Sequence, residues 1–296
     1  MLFQAGSLLL VIISVYLLKR IHIFSDKSYK VVQGLVFNLT LPCAIIMSFA
    51  TNKHPMNLLW PVSYTHLRAQ EPRYRAYQML NASGLNIGAF CLPVVQTFMG
   101  PSAGLPVIML DIGNAIIATA ASLTITRSLL HLGSPTKNLP LSLKIKNIAH
   151  DFYSSISFDC YMLMLVIMFA GWSVPHWIVT LITPFANANA FAAMAMIGLM
   201  MEIPDSHKDR SELGKVIAWR FLFSIIIALS AWFLLPLDER VREIMVLAAF
   251  APVTIFSTKF TDSLTGNAKL AGFSLTVTAV IGLTFMTILH AVLPVV

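Results

Sequence analysis

The stretch NASGLNIGAFCLPVVQTFM, residues 81–99, decides how the rest of the chain is read. It is apolar and free of Asp, Glu, Lys and Arg, yet Gly88 and Pro93 interrupt it near its middle. Proline lacks an N–H and its ring clashes with the preceding turn, so it opens a helix and frees carbonyls. Unsatisfied backbone in hydrocarbon costs several kcal/mol, so a break is tolerated only where it lines a protein-buried or watery cavity. A second apolar stretch, IMVLAAFAPVTIFSTKFTD at 244–262, carries Pro252 at its centre. Broken helices in corresponding places of two halves mark the binding site of many carriers, near the bilayer midplane. The N-termini of such half-helices offer N–H donors and partial positive charge suited to an anion.

Composition agrees with a membrane setting. Of 296 residues, 57% are hydrophobic and 11% are charged, and the mean hydropathy is +0.77. Soluble domains carry about 25% charged residues. The net charge of +7 comes from Lys and Arg at the ends of apolar runs, which is membrane topology and not a nucleic-acid footprint. Cys43, Cys91 and Cys160 have no metal-ligand spacing and read as packing residues. The first 18 residues lack charge and are followed by Lys19 and Arg20, so they read as an uncleaved span.

Spans of about 20 apolar residues are predicted at 2–18, 30–50, 76–99, 104–127, 158–174, 177–201, 214–236, 241–262 and 269–294. Lys and Arg place the loop after the first span, the loop at 128–157 and the turn at 202–215 in the cytoplasm, with the N-terminus outside. Nine spans put the first two of these basic loops on opposite faces; a tenth between about 53 and 75 would restore agreement. Lys53 to Arg75 cannot supply it, because the segment holds three prolines and five charged residues, and each mid-bilayer charge costs about 3 kcal/mol. PVSYTHLRAQ at 61–70 looks like translated sequencing-adaptor read-through. The expectation is a span deleted or overwritten here; the alternative is a nine-span variant with an external amphipathic loop. Resequencing the source DNA decides between them.

The expected fold is therefore an all-α polytopic membrane protein of two inverted five-span repeats with two broken crossover helices, nine spans being intact. The first repeat covers 1–128 and is defective around 53–75; a cytoplasmic loop covers 129–157 and the second repeat 158–296. Asn38 and Asn189 are loosely aligned as corresponding amides, 55 residues before Pro93 and 63 before Pro252. Asn86 can donate to a substrate carboxylate and accept from freed N–H groups, or bond helix to helix. Asp111, with Asn114 one turn later, is a candidate for taking a proton, coordinating a cation or holding a carbonyl network, since intramembrane carboxylates are functional candidates by default. Glu202, at the end of its span, reads as a solvated loop residue. No Walker loop, nucleophile elbow, metalloprotease motif, metal cluster or cofactor motif is present in the sequence, so no enzyme and no cofactor are expected.

Three features together resemble the auxin efflux carrier family, including its bacterial permeases. They are NLTLP at 38–42, NIGAFCLP at 86–93 and Pro252. The resemblance covers nearly the whole chain apart from about 53–75. It implies ten spans, two inverted repeats crossing at a central site, and transport of small organic anions such as auxin, malonate or malate. The expected setting is the plasma membrane of a bacterium, with lipid around the chain, no nucleic-acid partner, and proton coupling and a homodimer left open. Many members carry an Asn soon after the second crossover proline; Thr254 stands there instead, which weakens any transfer of substrate identity. Substrate is expected between the breaks at Pro93 and Pro252, with Asn86, Thr254, Asn38 and Asn189 as binding residues. A channel, a membrane-embedded enzyme and a non-transporting chain are the rivals.

Overall fold

The computed structural model describes residues 2–50, 72–82, 84–115, 122, 126, 156–204 and 206–293. The suspected overwritten stretch up to residue 71 and nearly all of the expected cytoplasmic loop lie outside these. In chain order the helices are α1 (Leu2–Arg20), α2 (Ser28–Ala50), α3 (Pro72–Ala82), α4 (Ile87–Met99) and α5 (Gly104–Ala115). Then come α6 (Ile156–Phe169), α7 (His176–Met200), α8 (His207–Leu234), α9 (Glu239–Ala249), α10 (Ile255–Thr265) and α11 (Ala268–Val292).

Five of these, α1, α2, α7, α8 and α11, contain segments long and apolar enough to cross a membrane. Their faces are sorted as lipid requires. On α1 the buried Ala5, Leu8, Ile12 and Val15 recur every three or four residues, while Phe3, Leu10, Ile13 and Leu17 are exposed. On α8 the order is inverted relative to a water-soluble helix. Arg220, Ser224, Ala228 and Ala231 are inside, and Leu222, Ile225, Ile226 and Leu229 point out. Small and polar groups inside with large apolar groups outside suit a hydrocarbon solvent and would be a liability in water.

The helix ends follow ordinary capping chemistry. Ser206 accepts from the Asp209 N–H at the start of α8, and Asn267 accepts from the Leu270 N–H at the start of α11, each serving an otherwise orphaned donor. Gly266, with φ 67°, ends α10 in the left-handed region. At the end of α7, Lys19 Nζ donates to Leu199 O at 2.9 Å and to Glu202 Oε1 at 3.0 Å. Glu202 is thus an ion-pair partner of a buried lysine and not a free loop residue.

Two expected spans are each two half-helices. The one at 76–99 is α3 followed by α4, and the one at 241–262 is α9 followed by α10. Pro252 sits in the second gap, as the sequence suggests. Pro93 does not sit in the first: the gap is at 84–86, and Pro93 lies within the continuous α4. Its missing N–H is absorbed by a π-turn at Ile87–Cys91, two residues upstream. Pro42 is handled the same way, with a π-turn at Val36–Thr40 inside α2. Widening the helix relieves the clash between the proline ring and the preceding carbonyl, so both helices continue through their prolines.

Candidate functional site: the crossing of two broken helices

The gaps at 84–86 and 250–254 meet. Leu85 and Val253 form an antiparallel bridge, the one extended pairing among the described residues. The Asn86 N–H donates to Pro252 O at 2.9 Å. Four half-helix ends therefore converge, and each brings backbone groups that lack intrahelical partners.

Most of those groups are met by named side chains. Asn114 of α5 acts as a surrogate strand for Leu85: its Oδ1 accepts from the Leu85 N–H at 2.9 Å and its Nδ2 donates to Leu85 O at 2.7 Å. Thr278 of α11 accepts from the Val253 N–H at 3.2 Å. Ser224 donates to Ala249 O at 2.6 Å, closing the end of α9. Ser257 donates to Leu80 O and Asn81 donates to Thr261 Oγ1, tying α3 to α10. Backbone also approaches backbone here. A Cβ on Gly282 of α11 would fall 2.5 Å from Phe250 O, so only glycine lets α11 lie against the second gap.

Buried Arg220 of α8, absent from the residues the sequence singles out, spans both broken helices. Its Nη1 donates to Asn81 O at 2.9 Å and Gly84 O at 3.0 Å, and its Nη2 donates to Ala251 O at 2.8 Å. An arginine inside the apolar span expected at 214–236 is itself the signal that could have found it, because intramembrane charges mark function by default.

Asp111 of α5 lies at the N-terminus of α4. Its carboxylate accepts from Tyr161 Oη at 2.7 Å, from Asn114 Nδ2 at 3.3 Å and from the peptide N–H of Gly88. A Cβ at position 88 would collide with Asp111 Oδ2, which is why glycine stands there. The chain thus places its own carboxyl group on the first helix start, where an external anion is expected from sequence. The α10 start differs: Thr254 is buried and its side chain caps no N–H. Asn86 stands across the bridge from Pro252; it is 4% exposed and its Nδ2 is buried without a hydrogen-bond partner among the described residues.

The remaining sequence candidates lie elsewhere. Asn38 is exposed on α2. Thr40, and not Asn38, donates to Asn189 Oδ1 of α7 at 3.0 Å, and Asn189 Nδ2 is buried without a partner among the described residues. The π-turn at Val36–Thr40 puts Thr40 on the buried face and Asn38 outside. Neither family models nor characterised proteins return a match to this chain.

Proposed function

We infer that the chain is a secondary carrier of small organic anions, of the auxin efflux carrier type, with the helix crossing as its binding site. The observation that carries this is the inequality of the four converging ends. Two C-termini face Arg220, the α4 start faces Asp111, the α10 start receives no cap from the Thr254 side chain, and the Asn86 amide, across the bridge from Pro252, has no hydrogen-bond partner among the described residues. An orphaned buried N–H donor costs about 1–3 kcal/mol; a carboxylate bound at the crossing by Asn86 would recover that, and the uncapped α10 N-terminus would add the favourable field of its dipole. Under this reading the Asp111 carboxyl group orders the α4 start, and Thr254 contributes through its backbone position. The N-terminus outside and an alternating-access cycle belong to the same proposal.

Uptake of labelled malonate, malate and indole-3-acetate into proteoliposomes tests it. Saturable flux that supports counterflow is expected for one of them; conductance far above carrier turnover would replace the carrier with a channel. Asn86→Ala is expected to weaken half-saturation about tenfold, the value of one hydrogen bond to a charged group at the low end of about 1.5–3 kcal/mol, with the protein still inserted in the membrane. Unchanged half-saturation would return Asn86 to helix packing.

A further inference from the structure

We propose that Arg220 is the positioning residue of the crossing: one guanidinium clasps the C-terminal ends of α3 and α9 and so fixes the bridge that sets Asn86 against Pro252. The functional side of this rests on the carrier reading; the clasp itself does not.

Four observations support it. Arg220 is 4% exposed, so its charge is held inside the protein and requires partners. Those partners are main-chain carbonyls from both broken helices: Asn81, Ala82 at 3.4 Å, and Gly84 on one side, Ala251 on the other. Gly84 and Ala251 flank the Leu85–Val253 bridge, one residue and two residues away. Finally, these carbonyls belong to or follow helix C-termini, whose partial negative charge favours a cation.

Guanidinium suits this place for a geometric reason. Its planar fork presents donors along separate edges, so one side chain can serve two chain segments at once. An ammonium is a point charge on a flexible stem, able to satisfy one segment but not hold two in register. The clasp arises from a third element, α8, which is continuous from His207 to Leu234. The two broken helices are thereby referred to one rigid rod. Ser224, one turn further along α8, binds Ala249 O and adds to the α9 side only. It is the natural control: same rod, same neighbourhood, no contact with the first gap.

The test uses the full chain in detergent and in proteoliposomes, with Arg220→Lys and Ser224→Ala. Amide hydrogen exchange reads the clasp without substrate. In the unaltered protein the Asn86 and Val253 amides should rank with the most protected in the chain. Exchange as fast as that of the exposed turn at Gly171 would overturn the proposal with no variant needed. In Arg220→Lys their protection should fall at least tenfold while the amides of α1 keep theirs, and in Ser224→Ala the Asn86 amide should be unaffected. Equal loss in both variants would reduce Arg220 to general packing. For labelled malonate, malate or indole-3-acetate, Arg220→Lys should raise half-saturation at least tenfold with a smaller change in maximal rate, and unchanged half-saturation would sever the clasp from binding. If the unaltered chain takes up none of these anions, the carrier reading fails while the exchange result still decides the clasp.

Discussion

Gly88→Ala is expected to destabilise the protein by about 3–5 kcal/mol, although the substitution adds a single methyl group. In the middle of a helix alanine is ordinarily preferred to glycine by up to about 1 kcal/mol, so the sign itself is diagnostic. The added Cβ collides with Asp111 Oδ2 and comes within 3.0 Å of Tyr161 Oη. Overpacking of this kind costs about 1–3 kcal/mol. Relief requires moving the carboxylate away from Gly88 N–H and Tyr161, and a hydrogen bond to a charged group contributes about 1.5–3 kcal/mol. Unfolding in detergent micelles measures the loss, and a double-mutant cycle assigns it. With Asp111→Ala in the background, the cost of Gly88→Ala should shrink to about 1 kcal/mol or less. An equal cost in both backgrounds would mean the methyl group meets something other than the carboxylate.

His290→Ala is expected to cost about 3–5 kcal/mol through the partner it abandons. Glu243 of α9 is 1% exposed, and His290 Nδ1 of α11 lies 2.5 Å from its Oε1. The imidazole stacks on Phe98 of α4, with centroids 5.1 Å apart and planes 2° from parallel. The neighbouring arginines are engaged elsewhere: Arg240 donates to Met99 O and Ser102 Oγ, and Arg242 lies over the Trp232 ring. Without His290 the Glu243 carboxylate is left buried and uncompensated. Replacing both, as Glu243→Leu with His290→Phe, removes the charge together with its partner and should restore stability to within about 1 kcal/mol of the parent or better. A single variant no worse than the double one would show that Glu243 does not depend on His290.

What the sequence disclosed and what it withheld divide along a physical line. Long uniform apolar runs were legible, because burial in lipid constrains every residue of a span. The presence of two broken helices was legible too, through Pro252 and the charge-free stretch around Gly88. The site of the first break was not. Pro93 is the stronger local signal, yet a π-turn absorbs it, while the gap at 84–86 is held open by partners distant in sequence: Asn114, Arg220 and Pro252. Asn114 and Asp111 were found as a pair because both lie on one helix, three residues apart. Tyr161, their third member, comes from α6, and nothing in its local sequence points to Asp111. Asn38 draws the eye because amides are conspicuous in apolar runs, but a π-turn rotates the face so that Thr40 is buried, and regular periodicity does not foresee it.

The buried stripe of α8 has a consequence for how this chain can vary. Asp209 receives Tyr74 Oη and Asn267 Nδ2, Glu212 receives Gln78 Nε2, Arg220 reaches both gaps, and Ser224 closes α9. All four stand on one line down a single rod, so their phase is shared. One residue inserted between Gly214 and Trp219 would swing everything beyond it by about 100° relative to everything before, and no choice of inserted side chain could undo the twist. The same insertion after Ala231, past the last of these contacts, would leave all four in phase and turn Trp232, over which Arg242 packs, with the exposed Phe233 and Leu234. Length changes in the first half of α8 should therefore be far rarer among functional variants than substitutions there.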